Sequence, residues 1–280
     1  MADVLGIHGV GNLQVGLQPE RAAAAIARRW ADSMSVHGLP ATEHVEVAYY
    51  SHLLITEHFH GSADILLESP EVTRLLAPWV AAMGYREEVT SGRATQPVRQ
   101  MCSWLAVKYR LDHALVRRFV AIYLKEVHEY FHNERCVHQR ISARDLVGAA
   151  IRRCAPRVVI AHSLGSAIGY EALWSNPDLH VDTLITLGSP LGMPHVVFDR
   201  LEPPPQDGKG AKPPNVATWL NVADVGDLVA IPTHLSKHFK GLSVDIETSI
   251  GMFDFHRVSS YLRSPLVGEV LTNGLTGRWQ

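Results

Sequence analysis

Short apolar runs alternate with helical stretches along most of the chain, the pattern of a mostly parallel sheet covered by helices. Residues 4–8 are a continuous apolar run that breaks at Gly9-Val10-Gly11-Asn12, which predicts a first buried strand. Pro19 opens an Ala-rich helix over residues 19–37, ending near Gly38 and Pro40. Residues 44–50 alternate like a second strand. Further on, residues 157–161 predict a strand with a helix directly behind it at 164–174. Strands follow at 182–187 and 216–222, with a weaker one at 244–247. Residues 202–215 carry five prolines and two glycines and read as a surface loop of mobile composition.

Between about 51 and 140 the alternation gives way to helical periodicity. Leu66, Leu67, Leu75, Leu76, Trp79 and Met83 fall on one face of a broken helical segment, and a longer helical pattern covers residues 103–131. The expected architecture is therefore α/β, with a core formed by residues 1–50 and 141–280 and a helical insertion at 51–140. The insertion is expected to lie as a cap over the ligand-binding edge of the sheet. Its apolar face reads first as packing, with a substrate channel or a membrane contact as the other uses.

A chain of 280 residues can bury a substantial core, and 46% hydrophobic with 19% charged residues suits a globular enzyme. A net charge of −2 makes no case for nucleic acid or for an anionic membrane surface. Cys102, Cys136 and Cys154 form no CxxC pair and are read as reduced thiols. There is no charged, apolar, small-residue leader pattern and no run of about 18 apolar residues. A cytoplasmic protein without a transmembrane segment is expected.

Chemistry enters at Ala161-His162-Ser163-Leu164-Gly165, directly after a predicted strand and directly before a helix. A serine on such a tight turn has its hydroxyl lifted clear of the sheet, and small neighbours let strand and helix approach closely. The helix start places the Leu164 N–H where an oxyanion would develop. A nucleophilic serine needs a base and an acid to orient that base. Asp227 follows the 216–222 strand and is preferred to Asp224, because Leu228-Val229-Ala230 turn back into apolar structure behind it. His256, beyond the last strand, is preferred to His234 and His238, which follow the acid too closely to leave room for another strand. His8-Gly9-Val10-Gly11 stands where a second oxyanion donor, the Val10 N–H, would come from. Neither GxGxxG nor GxxxxGK[ST] is present to make that turn a phosphate cradle.

Together these segments, with Leu187-Gly188-Ser189-Pro190, resemble the α/β-hydrolase superfamily, particularly its lipase and esterase branch. The elbow departs from the family pattern in having Ala161 where glycine is usual. The resemblance covers about residues 1–50 and 140–265 and leaves the helical insertion unmatched. It implies a serine hydrolase with Ser163, Asp227 and His256 as triad, Val10 and Leu164 as oxyanion donors, and no cofactor. The implied substrate is a small-molecule or lipid-like carboxylic ester.

A rival chemistry lies in the insertion, where His128-Glu129-Tyr130-Phe131-His132 is an HExxH sequence on a predicted helix. His138 falls where some zinc proteases place a third ligand, but Arg135 occupies the position that should be glycine. Without that turn, helical rotation carries His138 away from the other two. A zinc hydrolase using His128, Glu129 and His132 is therefore the alternative enzyme, and a non-catalytic binding protein of the same fold the alternative class.

Overall fold

The computed structural model describes residues 3–38, 44–54, 63–67, 69–86, 96–132, 137–251 and 256–278. Its centre is a six-stranded sheet. The strands, in chain order, are β1 (Val4–Ile7), β2 (Val45–Ala48), β3 (Val158–His162) and β4 (Val181–Leu187). The short β5 (Gly210–Ala211) comes next, then β6 (Val216–Asp224), the short β7 (Phe239–Lys240) and β8 (Val244–Thr248). Sheet order is β2-β1-β3-β4-β6-β8 with every neighbouring pair parallel, while β5 and β7 pair only with each other.

The strands follow the apolar runs because both faces of a parallel sheet are covered. Val158 and Ile160 pack to one side, with Ile26, Trp30, Tyr261 and Leu271, while Val159 and Ala161 pack to the other, with Ile151, Ile168 and Leu173. This is the two-residue period of a pleated strand. Gly6 belongs to the first face: a Cβ there would stand 2.6 Å from the Trp30 ring, so the glycine lets α1 (Pro19–Met34) lie close to the strand.

The insertion region is helical, as expected, but its elements break differently. In chain order they are α2 (Ser51–Leu54), α3 (Ala63–Leu67), α4 (Pro70–Ala82), α5 (Gln96–Tyr109) and α6 (His113–Phe131). The single helix expected over 103–131 is thus two helices. Arg110 takes φ 55°, and the Leu111 N–H returns to the Ala106 carbonyl at 2.8 Å, closing α5. Asp112 then caps α6 by accepting the Leu115 N–H at 2.8 Å. No glycine marks the stop, so periodicity runs through it. Helix α6 buries Val116, Val120, Tyr123, Leu124, Val127 and Tyr130 at helical spacing and packs on α3, α4 and α5.

The helices α7 (Val137–Cys154) and α8 (Leu164–Ser175) cover the same sheet face as this helical group, and one continuous apolar cluster joins them all. The helices α9 (Val258–Arg263) and α10 (Pro265–Thr276) cover the other face beside α1. The proline-rich 202–215 loop is tied down: it carries β5, its Lys212 ammonium donates to the Val216 and Ala217 carbonyls, and Tyr170 donates to the Ala211 carbonyl. Among the described residues no helix is long and apolar enough to cross a membrane.

The chain runs from β1 outward to β2, then returns to continue from β3 in the opposite direction. The direction of the connections thus reverses between β1 and β3, and the carboxyl edge beside such a reversal is where open α/β sheets bind ligands.

Candidate active site

Ser163 sits between β3 and α8 at φ 55°, ψ −133°. A non-glycine residue there is strained by roughly 1–3 kcal/mol and persists only if its surroundings hold it. The Ser163 N–H donates to the Leu187 carbonyl at 3.0 Å, and the Ser163 carbonyl accepts from Ser166 N–H at 2.9 Å and Ser166 Oγ at 2.6 Å. Two glycines make the close approach possible. A Cβ on Gly165 would stand 2.5 Å from the Ile7 carbonyl oxygen, and one on Gly9 would stand 2.5 Å from the Ser163 Cβ. The Ala161 methyl fits without crowding the helix: it would stand 3.8 Å from a Cβ built on Gly169 of α8, ordinary van der Waals contact.

Ser163 Oγ lies 2.7 Å from His256 Nε2, and His256 Nδ1 lies 2.8 Å from both carboxylate oxygens of Asp227. Because the carboxylate can only accept, Nδ1 carries the proton, and Nε2 is left to accept from the serine hydroxyl. Asp227 is buried at 2% exposure yet fully partnered. Its Oδ1 also accepts from the Val229 N–H at 2.8 Å and its Oδ2 from the Tyr261 hydroxyl at 2.7 Å. Asp224 faces elsewhere: its Oδ1 accepts from the Ile250 N–H at 3.4 Å, and burial pushes its carboxyl up. Of the other histidines weighed, His234 pairs with Asp245 and Glu247, and His238 packs edge-on against Phe198. The Met252–Phe255 residues that lead into His256 lie outside the described residues.

Two supporting residues were not singled out from the sequence. Tyr261 bridges the two aspartates, accepting from the Asp224 N–H at 2.8 Å while donating to Asp227. His162, inside the elbow, is held well below the usual histidine range by burial and is neutral. Its Nε2–H donates to the His256 carbonyl at 3.1 Å and so fixes the backbone that carries the imidazole.

The turn after β1 is held from three sides. Burial lowers His8 to about 4, so its ring is neutral. Its Nδ1 donates to the Gly9 carbonyl at 2.8 Å, its Nε2 accepts the Tyr50 N–H at 3.2 Å, and the Tyr50 ring stacks on it at 4.1 Å. The Asn12 amide donates to the Gly9 and Val10 carbonyls. The Gly11 N–H donates to Glu126 Oε1 of α6 at 2.7 Å, and burial pushes that carboxyl up to about 7. Among the described residues the N–H groups of Val10 and Leu164, on the two turns beside Ser163, have no acceptor. The only sequence signal for Glu126 was an acid on an otherwise apolar helix face.

The HExxH residues sit at the end of α6. Glu129 pairs with Lys125, His132 Nε2 lies 2.9 Å from the Val196 carbonyl, and the His128 and His132 rings stand parallel at 6.3 Å. His138 belongs to the next helix, α7, and Arg135 lies outside the described residues. Among the described residues no group of three His, Cys, Asp or Glu side chains is gathered to hold a metal.

The site is closed. Ser163 is 0% and His256 7% exposed, and α6 lies over them with the Phe119 ring edge-on to His256 at 5.3 Å. Comparison with protein-family models, with curated proteins and with solved structures finds no match to this chain.

Proposed function

We propose that this chain is a serine hydrolase of the α/β-hydrolase type that cleaves a carboxylic ester through a Ser163–His256–Asp227 triad. The observation that carries the reading is the unbroken hydrogen-bonded chain from Ser163 Oγ through both ring nitrogens of His256 to Asp227, at 2.7 and 2.8 Å, on a serine held in a strained elbow. In the reaction Ser163 Oγ attacks the carbonyl carbon and its proton passes to His256 Nε2. Asp227 stabilises the imidazolium and holds the ring in register. The N–H groups of Val10 and Leu164, without acceptors among the described residues, take the oxyanion. Collapse expels the alcohol, protonated by His256, and water then hydrolyses the acyl-enzyme by the same route. The residues supply every proton transfer, so the reading requires no cofactor.

The proposed cytoplasmic placement rests on cysteine usage: Cys102, Cys136 and Cys154 are sparse and form no CxxC pair. A fluorophosphonate should label Ser163, as located by mass spectrometry of the labelled peptide. Ser163→Ala should keep the fold and lower ester turnover by roughly 10⁴ to 10⁶. Undiminished turnover in that variant would sink the assignment.

A further inference from the structure

Two buried polar atoms of α6 have no hydrogen-bond partner among the described residues: the Tyr123 hydroxyl and Glu126 Oε2. Their residues are 0% and 1% exposed, so bulk water does not serve them. Three positions apart, they lie on the same face of the helix. That face looks onto the reacting groups at both ends. The Tyr123 ring stands edge-on to His256 with centroids 6.5 Å apart, and the other oxygen of Glu126 holds the Gly11 N–H at 2.7 Å. The pair thus spans from the proposed base to the proposed oxyanion turn.

Leaving a buried donor or acceptor unpaired costs free energy, whereas an apolar side chain of the same shape is nearly neutral. If α6 were only a lid to be packed, phenylalanine and leucine would serve better at these two positions. Their polar atoms fit a partner that arrives with the substrate. Resting on the serine-hydrolase reading, we propose that Tyr123 and Glu126 form a polar subsite that binds a hydroxyl group carried a few atoms from the scissile carbonyl. A hydroxyl is the group that completes both side chains at once. It accepts from the phenol and donates to the carboxylate. A hydroxyl, donor and acceptor at once, serves Glu126 in either protonation state, whereas an ammonium would leave the phenol without an acceptor.

The test compares matched esters that differ by one hydroxyl. One pair is p-nitrophenyl 3-hydroxybutyrate against the butyrate; the other is 2-hydroxyethyl butyrate against ethyl butyrate. Wild-type protein should favour the hydroxylated member of one pair by about tenfold in kcat/KM, the worth of one good hydrogen bond. Which pair responds assigns the hydroxyl to the acyl or the alcohol part. Tyr123→Phe and Glu126→Gln should each reduce that ratio, and Tyr123→Phe should not lower Tm, because the hydroxyl it removes has no partner among the described residues. Ratios near one for both pairs, as trapped water at these atoms would give, overturn the subsite, as does a preference unchanged in Tyr123→Phe. Fluorophosphonate labelling of Ser163 in the same preparations separates the two levels. Labelling with flat ratios removes only the subsite; no labelling, with turnover intact in Ser163→Ala, removes the hydrolase reading and the subsite with it.

Discussion

Glu126→Gln should change how stability depends on pH. In the folded chain burial raises the Glu126 carboxyl from 4.5 to about 7, with the Gly11 N–H opposing the rise. The folded state therefore keeps a proton that the unfolded chain has released anywhere between those values. The stabilisation this brings is fully present below about pH 4.5 and is lost as pH rises through about 7. Moving a carboxyl from 4.5 to about 7 amounts to about 3 kcal/mol across the window. The loss is hidden in the wild-type profile, because His8 works the other way. Its ring is lowered from 6.5 to about 4, so its contribution is lost as pH falls through that range and grows as pH rises. His162 is lowered too and acts in the same sense. Glutamine cannot titrate but still offers an oxygen to Gly11, so the difference between variant and wild type isolates the carboxyl. Urea unfolding of both proteins from pH 4 to 8 measures that difference. The variant should gain about 3 kcal/mol on the wild type between pH 4.5 and 7 and nothing further above. A difference that does not vary with pH would refute the reasoning, and so would one of opposite sign.

The two aspartates near the end of β6 separate by turnover. Asp227→Asn should cost on the order of 10⁴ in kcat by unsettling the His256 tautomer, whereas Asp224→Asn, remote from the imidazole, should cost much less; the reverse ranking in folded proteins would move the acid to Asp224. The HExxH residues should prove dispensable to the chemistry. Dialysis against EDTA should leave ester hydrolysis unchanged, and Glu129→Gln, which removes the carboxylate that pairs with Lys125, should retain most activity. Activity lost to the chelator and restored by zinc would reverse the choice between the two chemistries.

What the sequence by itself determined is what short-range rules control. The sheet strands stand where period-two and continuous apolar runs placed them, because burial on two faces demands such runs. The elbow was legible for the same reason: small residues around Ser163, at a strand end and a helix start, are a local steric requirement. Chain order was enough to single out His256, whose ring stands 2.7 Å from Ser163 Oγ. Tertiary structure decided the rest. Asp224 and Asp227 are three residues apart; Leu228-Val229-Ala230 favoured Asp227 in the sequence, but its contact with His256 and its anchor on Tyr261 are made by the fold. The break between α5 and α6 hides behind Arg110 in a left-handed conformation, since the periodicity continues through it and no glycine marks the stop. Glu126 meets Gly11 across 115 positions of chain. No local pattern announces such a contact. It exists because α6 crosses the carboxyl edge of the sheet, and a buried carboxylate must find its donor wherever the fold brings one.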